Sequence, residues 1–290
     1  MDGRTRGNSR WDAWALGLTA MLACLLASCT TQAPSPRPSQ TGTQAPGRLT
    51  WMLTRAALAS VLSDPAARSR LDGAPVYQIL QTGQHPLGAI PAVPVVTVSS
   101  VSELAQTLSG RRLPTGTRAV LYDPEAWPFT PVAEQRDPAK AAQQALRLAH
   151  AHGLRLFVAP ALNLTTLRPG SGPRWQQFLR LGLAGAMAKA ADVIELQAQS
   201  LERDTGSYAA FVHEAARQAR AANPRVTILA GLSTNPPGAE VTSQQLTAAI
   251  RATSGVVSGY WLNIPGRGQR CPRCNAPRPD LARQLLGALP

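Results

Sequence analysis

The stretch Tyr122-Asp123-Pro124-Glu125-Ala126-Trp127 has residue types and spacing suited to chemistry. Side chains alternate along an extended chain, so Asp123 and Glu125 face the same way, about 7 Å apart along the backbone. Two carboxyl groups so placed suit acid/base work on a glycosidic bond: one keeps a proton and donates it, the other stays ionised. Trp127 and Phe129 offer flat apolar faces on which a sugar ring can stack, and Tyr122 is grouped with them as a binding residue. The plainer alternative is a turn begun by Asp123 and Pro124, with Glu125 solvated.

A second polar row is Glu195, Gln197 and Gln199. Alternation sets these three against Ile194, Leu196 and Ala198. The apolar set should meet other elements of the fold, which turns the polar set inward. Polar groups in a core are costly unless they bond to partners or to a ligand. A satisfied structural network, or a register in which Gln199 is already loop, would also account for the row. If the acids share one cleft, three like charges cannot all ionise cheaply, and one should hold its proton near neutral pH. Glu195, expected to be the deepest, is then the general acid, Glu125 the base or nucleophile, and Asp123 the group that orients or tunes it. Asn163 and Asn263 fall at or just past strand ends, where amides can bind hydroxyls. Trp261 shares a face with Asn263 and could floor a sugar site or simply pack in the core. Asn235, just before Pro236-Pro237, reads as a turn residue.

The elements that must position these residues alternate strand with helix. Strands are expected at Val76–Leu80, Val93–Val98, Ala119–Asp123, Leu154–Pro160, Val193–Ala198, Val226–Ala230 and Val257–Ile264. Helices are marked by Ser100-x-x-Glu103 and Thr242-x-x-Gln245 with capping-box spacing. Asp137-Pro138 starts another that stops at Gly153. Further helices are expected from Gly172-Pro173 to about Ala190, from Ser207 to Ala222 and from Asp280 to Leu289. Alternation of this kind implies a parallel sheet with right-handed crossovers. The length fits an α/β fold of the (β/α)8 barrel type, complete or irregular, with an open doubly wound sheet as the alternative. An eighth strand is left to Arg48–Leu71 or Thr82–Ile90. No Gly-rich phosphate loop follows the first strand, which argues against a Rossmann-type nucleotide domain. The loop Ala126–Arg136 is long for its place, and Glu134 within it either covers the site or precedes the helix cap. His150 and His152 are two apart near a helix end and diverge, and His85 is isolated. No metal set, no Gly-x-Ser-x-Gly elbow and no cofactor requirement emerges.

The amino terminus carries Arg4, Arg6 and Arg10 before an apolar run from Ala13 to Ala27. A run of about 15 residues fits an export signal and is short for a membrane-spanning helix, which needs about 20. It ends in Leu26-Ala27-Ser28-Cys29, which resembles the bacterial lipobox. The resemblance implies a signal peptide over residues 1–28, acylation of the Cys29 thiol and a lipid anchor on the extracytoplasmic face of the membrane. Residues 29–48, with Pro34, Pro36, Pro38 and Pro46 among Ser, Thr, Gln and Gly, read as an extended tether. Residues 49–290 then form a single barrel-like domain. Outside the cytoplasm Cys271-Pro272-Arg273-Cys274 is by default a disulfide. A redox motif would follow a strand in a thioredoxin-like unit, and a zinc knuckle would need two more ligands.

The net charge of +13 comes from basic residues that are nearly all Arg. They are scattered rather than clustered, and with export this argues against a nucleic-acid partner. Biased codon usage explains the excess, while attraction to an anionic wall polymer is the functional reading. The body resembles uncharacterised actinobacterial-type lipoproteins with a glycosidase-like barrel, on the segments Tyr122–Trp127, Glu195–Gln199 and Tyr260-Trp261-Leu262-Asn263. The resemblance implies a monomeric surface barrel that hydrolyses or binds cell-wall or extracellular carbohydrate. A catalytically silent ligand-binding barrel, or a wall-associated scaffold, is the alternative.

Overall fold

The computed structural model describes residues 48–289 apart from 111, 169 and 237–239. The export segment, Cys29 and the tether to residue 47 lie outside the described residues. Eight strands run β1 (Thr50–Thr54), β2 (Val76–Leu80), β3 (Ala92–Val98), β4 (Ala119–Tyr122), β5 (Arg155–Val158), β6 (Val193–Leu196), β7 (Thr227–Ser233) and β8 (Gly259–Asn263). Each pairs in parallel with the next, and β8 pairs with β1, so the sheet closes into a (β/α)8 barrel. That closure excludes both the incomplete barrel and the open doubly wound sheet. It depends on Gly259, where a Cβ would lie 1.9 Å from the Thr50 carbonyl oxygen. Only a residue without a side chain lets the last strand come that close to the first.

The helices are α1 (Arg55–Val61), α2 (Pro65–Asp72), α3 (Val101–Ser109), α4 (Val132–Arg136), α5 (Pro138–Ala151), α6 (Arg174–Arg180), α7 (Leu183–Ala188), α8 (Thr205–Ala222), α9 (Ser243–Thr253) and α10 (Pro279–Ala288). The eighth strand, β1, lies in the Arg48–Leu71 window. No turn residue separates it from α1, because Thr54 ends the strand and its hydroxyl accepts from the Ala57 amide as the helix cap. The helix expected from Gly172 to Ala190 is broken in two at Gly182, whose φ of 62° lies in the left-handed region. The Thr242/Gln245 capping box forms in full. At α3 the Ser100 hydroxyl accepts from Glu103 N, but the Glu103 carboxylate accepts from Ser99 N, one residue earlier than the box requires.

Alternation divides the strand residues into two cores. Trp51, Leu53, Val120, Tyr122, Ile194, Leu196 and Tyr260 face outward and pack against the helices. Met52, Val95, Leu121, Phe157, Val193, Leu229 and Trp261 fill the barrel interior. Tyr122 pairs with Val158 and Val158 with Ile194. The residues one further along, Asp123, Ala159 and Glu195, therefore stand at one level of the barrel, all pointing inward. The ladder continues there through Asp123 N to Val98 O and Ala159 N to Tyr122 O, both 3.0 Å.

Candidate functional site

At the carboxyl ends of the strands, where barrel enzymes carry their chemistry, lies a cleft of about 1050 Å³. Asp123, Glu125, Trp127, Asn163, Gln197 and Asn263 all contribute to its walls, and Trp261 floors it. Residues at or beyond the ends of β4, β5, β6 and β8 thus line one cleft.

Glu125 is held by a built framework. The Thr130 hydroxyl accepts from Glu125 N (3.2 Å) and Trp127 Nε1 (2.9 Å), and donates to Ser99 O (2.9 Å). Gln135 Nε2 donates to the carbonyls of Trp127 (2.9 Å) and Thr130 (2.6 Å). Asn163 completes the frame: its Oδ1 accepts from Ala126 N (2.8 Å) and its Nδ2 donates to Glu125 Oε2 (3.2 Å). The loop is therefore pinned from β3, from α4 and from the segment after β5. Neither a free turn nor a solvated Glu125 matches this arrangement, because the carboxyl is half-buried and hydrogen-bonded.

Asp123 sits deeper, buried, and accepts from Gln197 Nε2 at 2.7 Å; the same amide group donates to Ala159 O at 2.9 Å. Burial pushes Asp123 well above the usual carboxylate range, and Glu125 adds to the rise. The cation of Arg270 and the Gln197 bond only partly offset it. Glu125 is raised too, first by burial, against the opposing Asn163 bond and Arg270. The two carboxyls titrate as a pair, and the last proton leaves above the ordinary range.

Glu195 is fully buried, and neither carboxyl oxygen meets a hydrogen-bond partner among the described residues. Burial, then Asp123, then Glu125 raise its pKa well above the usual value. A carboxylate without partners in such a place neutralises rather than stay charged. Burial thus favours the protonated form of Glu195. This residue contributes no surface to the cleft, however. A general acid must come within hydrogen-bond reach of the atom it protonates, so depth removes Glu195 from that role and leaves Glu125, on the wall, as the group placed to donate.

Tyr122 must also be reassigned. Alternation that turns Asp123 inward turns Tyr122 outward, where it is buried against the helices and its hydroxyl donates to Glu134 Oε2 at 2.9 Å. Burial and that carboxylate push its pKa up. Glu134 also accepts from Val101 N, capping α3, so it serves structure and does not cover the site. Asn235 anchors rather than turns: its Nδ2 donates to the carbonyls of Pro265, Asn275 and Ala276. Those carbonyls flank the Cys271–Cys274 disulfide in the loop between β8 and α10. His150 pairs with Asp192 at 2.9 Å, away from the cleft.

Three further residues carry no motif. Trp175 on α6 lines the cleft. Glu202 is buried, accepts from Ser200 N and Ser233 N (both 2.7 Å), and is pushed up to about 7 by burial. Arg270 reaches from the β8–α10 loop to lie over the rings of Trp127 (5.3 Å) and Phe129 (5.5 Å). Gln199 rests over β7 only because residue 231 is Gly; a Cβ there would lie 2.3 Å from its amide. Among the described residues no group of His, Cys, Asp and Glu is arranged to hold a metal ion.

No protein-family model matches this chain, and no curated protein sequence does. Similar solved structures include a chitinase from Chromobacterium violaceum at 12% identity, covering 83% of this chain and 100% of that one with a TM-score of 0.44. A hydroxymethylglutaryl-CoA lyase from Pseudomonas aeruginosa is 13% identical over 83% of this chain and 86% of its own, with a TM-score of 0.48. A spore cortex-lytic enzyme of Bacillus megaterium is 14% identical over 73% and 58%, with a TM-score of 0.39.

The buried carboxyls have a consequence for stability. The folded chain keeps protons that the unfolded chain loses in the ordinary carboxylate range, so stability falls as the pH rises from that range through the raised values. Glu195→Gln removes one such group and should flatten the decline, gaining on the parent chain as the pH increases. Urea unfolding across a pH series checks this; a Glu195→Gln chain that declines as steeply as the parent would contradict it.

Proposed function

We propose that this chain is a lipid-anchored surface glycosidase that cleaves a glycan bound in the barrel mouth, with Glu125 as proton donor. The observation that carries the reading is the placing of Glu125: a carboxyl held by Asn163 on the wall of a tryptophan-lined cleft, raised in pKa by burial, with Asp123 beside it. A glycosidic oxygen leaves only when protonated; Glu125, whose proton burial holds more tightly, supplies that proton, and its carboxylate then takes one from the water that adds to the anomeric carbon, which restores the acid. Asp123 lies on the same strand end, so it approaches the sugar from the same side. Its part is to tune Glu125 and, when ionised, to stabilise the positive charge that develops on the ring as the bond breaks. Gln197 orients Asp123. Asn163 holds Glu125 and aims it.

The remaining lining suits a polyhydroxylated ligand. Trp127, Trp175 and Trp261 offer ring faces, and Gln199 and Asn263 offer amides. Trp261 Nε1 and Gln199 Oε1 are buried without partners among the described residues. Unmet donors and acceptors at a cleft are costly unless a ligand meets them. The same lining would serve a silent barrel that binds glycan without cleaving it, and turnover separates the two.

Two outcomes follow. In a chromogenic-glycoside screen, Glu125→Gln should cut turnover about 10²- to 10⁴-fold with the fold retained by circular dichroism, and Asp123→Asn should also lower it. Full activity in Glu125→Gln, or no turnover of any glycoside by the parent chain that nonetheless binds glycan, would transfer the reading to the binding-only barrel. The anchor is tested by mass spectrometry of membrane-extracted chain, which should show acylated Cys29 at the new amino terminus; a Cys29→Ser chain that stays equally membrane-bound would refute it.

A further inference from the structure

We propose that the cleft selects a glycan bearing an anionic substituent, a carboxylate or a phosphate, read by Arg270 with Arg273 and Arg174 beside it. This rests on the glycan-cleaving reading above and names the substrate class it leaves open. All three arginines line the same cleft as Asp123 and Glu125. None of them takes part in an ion pair among the described residues. Arg267 in the same loop, by contrast, is occupied by the Cys274 carbonyl at 3.3 Å.

The placing of Arg270 follows from the topology. In a closed eight-stranded barrel β8 stands opposite β4, four strands away either way round. The loop that follows β8 nevertheless reaches the loop that follows β4, because Arg270 covers both Trp127 and Phe129. It therefore crosses the barrel mouth. Its root is fixed by the Cys271–Cys274 disulfide and by the three carbonyls that Asn235 holds. A guanidinium stacked on two rings is oriented before ligand arrives, which lowers the ordering cost of binding. Its planar fork matches a carboxylate or phosphate with two parallel hydrogen bonds, a geometry that a neutral sugar hydroxyl cannot return. Burial favours the neutral form of the acids below, so they offset the positive rim less than exposed carboxylates would.

The test is calorimetric binding to the full-length chain in a Glu125→Gln background, which prevents cleavage. Three oligosaccharide probes of matched length are compared: a hyaluronan hexasaccharide carrying carboxylates, a glucosylated glycerol-phosphate oligomer carrying phosphates, and neutral chitohexaose. At least one charged probe should bind about tenfold tighter than the neutral one, and whichever does so identifies the source of the anion. Replacing Arg270, Arg273 and Arg174 together by Gln should reduce the preference to within about twofold while neutral binding persists. Arg270→Lys, which keeps the charge and loses the fork, should fall between. Arg251→Gln, in the last turn of α9 at the other end of the barrel, should change nothing. Equal binding of all three probes would overturn the anionic preference and leave the glycan site standing; no binding of any probe would overturn both. A preference that survives the triple change, or that Arg251→Gln removes equally, would also overturn the assignment.

Discussion

Ala159 is all that separates Asp123 from Glu195 at one level of the barrel interior, and both neighbours point inward because their strand partners must pack on helices. That geometry brings carboxyl groups together out of water. No described donor reaches Glu195, and only Gln197 reaches Asp123 among the side chains. Burial raises all three; Glu125 adds to the rise at Asp123, and Asp123 and Glu125 both add to it at Glu195. Charge of this kind is tolerated in an apolar interior only by being neutralised. The chain accepts an interior whose stability falls as the pH rises, and what it obtains is a store of carboxyls that hold their protons more tightly than free ones.

The proton store would be of no use to a substrate without a group that reaches the surface. Glu125 is that group, and most of the surrounding polar structure exists to hold it. Thr130, Gln135 and Asn163 come from three segments of the chain and meet within one short loop. Each bonds to that loop at one or more points, so Glu125 has little freedom to swing into solvent. Opposite it, the loop that closes over the mouth is clamped at its root by a disulfide and Asn235, and at its tip by Arg270 on Trp127 and Phe129. Both lips of the cleft are therefore set before any ligand enters, the condition under which fixed dipoles and charges act most strongly on a reacting bond.

Much of this was legible in the sequence where the physics is local. A period of two along each strand, with one face obliged to meet helices, places Asp123, Glu195, Gln197 and Trp261 inside. The same rule places Tyr122 outside, and grouping it with the site for its aromatic ring set composition above alternation. Seven strands announce themselves by β-branched runs between turns; β1 does not, because Thr54 is at once its last residue and the cap of α1. The helix through Gly182 read as continuous because its apolar spacing persists across a single left-handed residue. What stays hidden is non-local. Arg270 meets Trp127 only after the chain has closed a barrel, and Glu134 caps a helix 33 residues earlier. The inward direction of Glu195 was readable, but its complete burial, which denies it contact with a substrate, was not, since that follows from packing between distant segments.

The chemistry of the cleft depends on carboxyl groups whose pKa values burial has raised. Infrared difference spectroscopy of the parent chain against Glu195→Gln, recorded across a pH series, observes this directly. A protonated-carboxyl band that persists at neutral pH and loses its Glu195 component in Glu195→Gln is the expected result. If the parent chain shows only ionised carboxylates at neutral pH, the interior is wetter than its packing implies, and the chemistry assigned to the cleft fails with it.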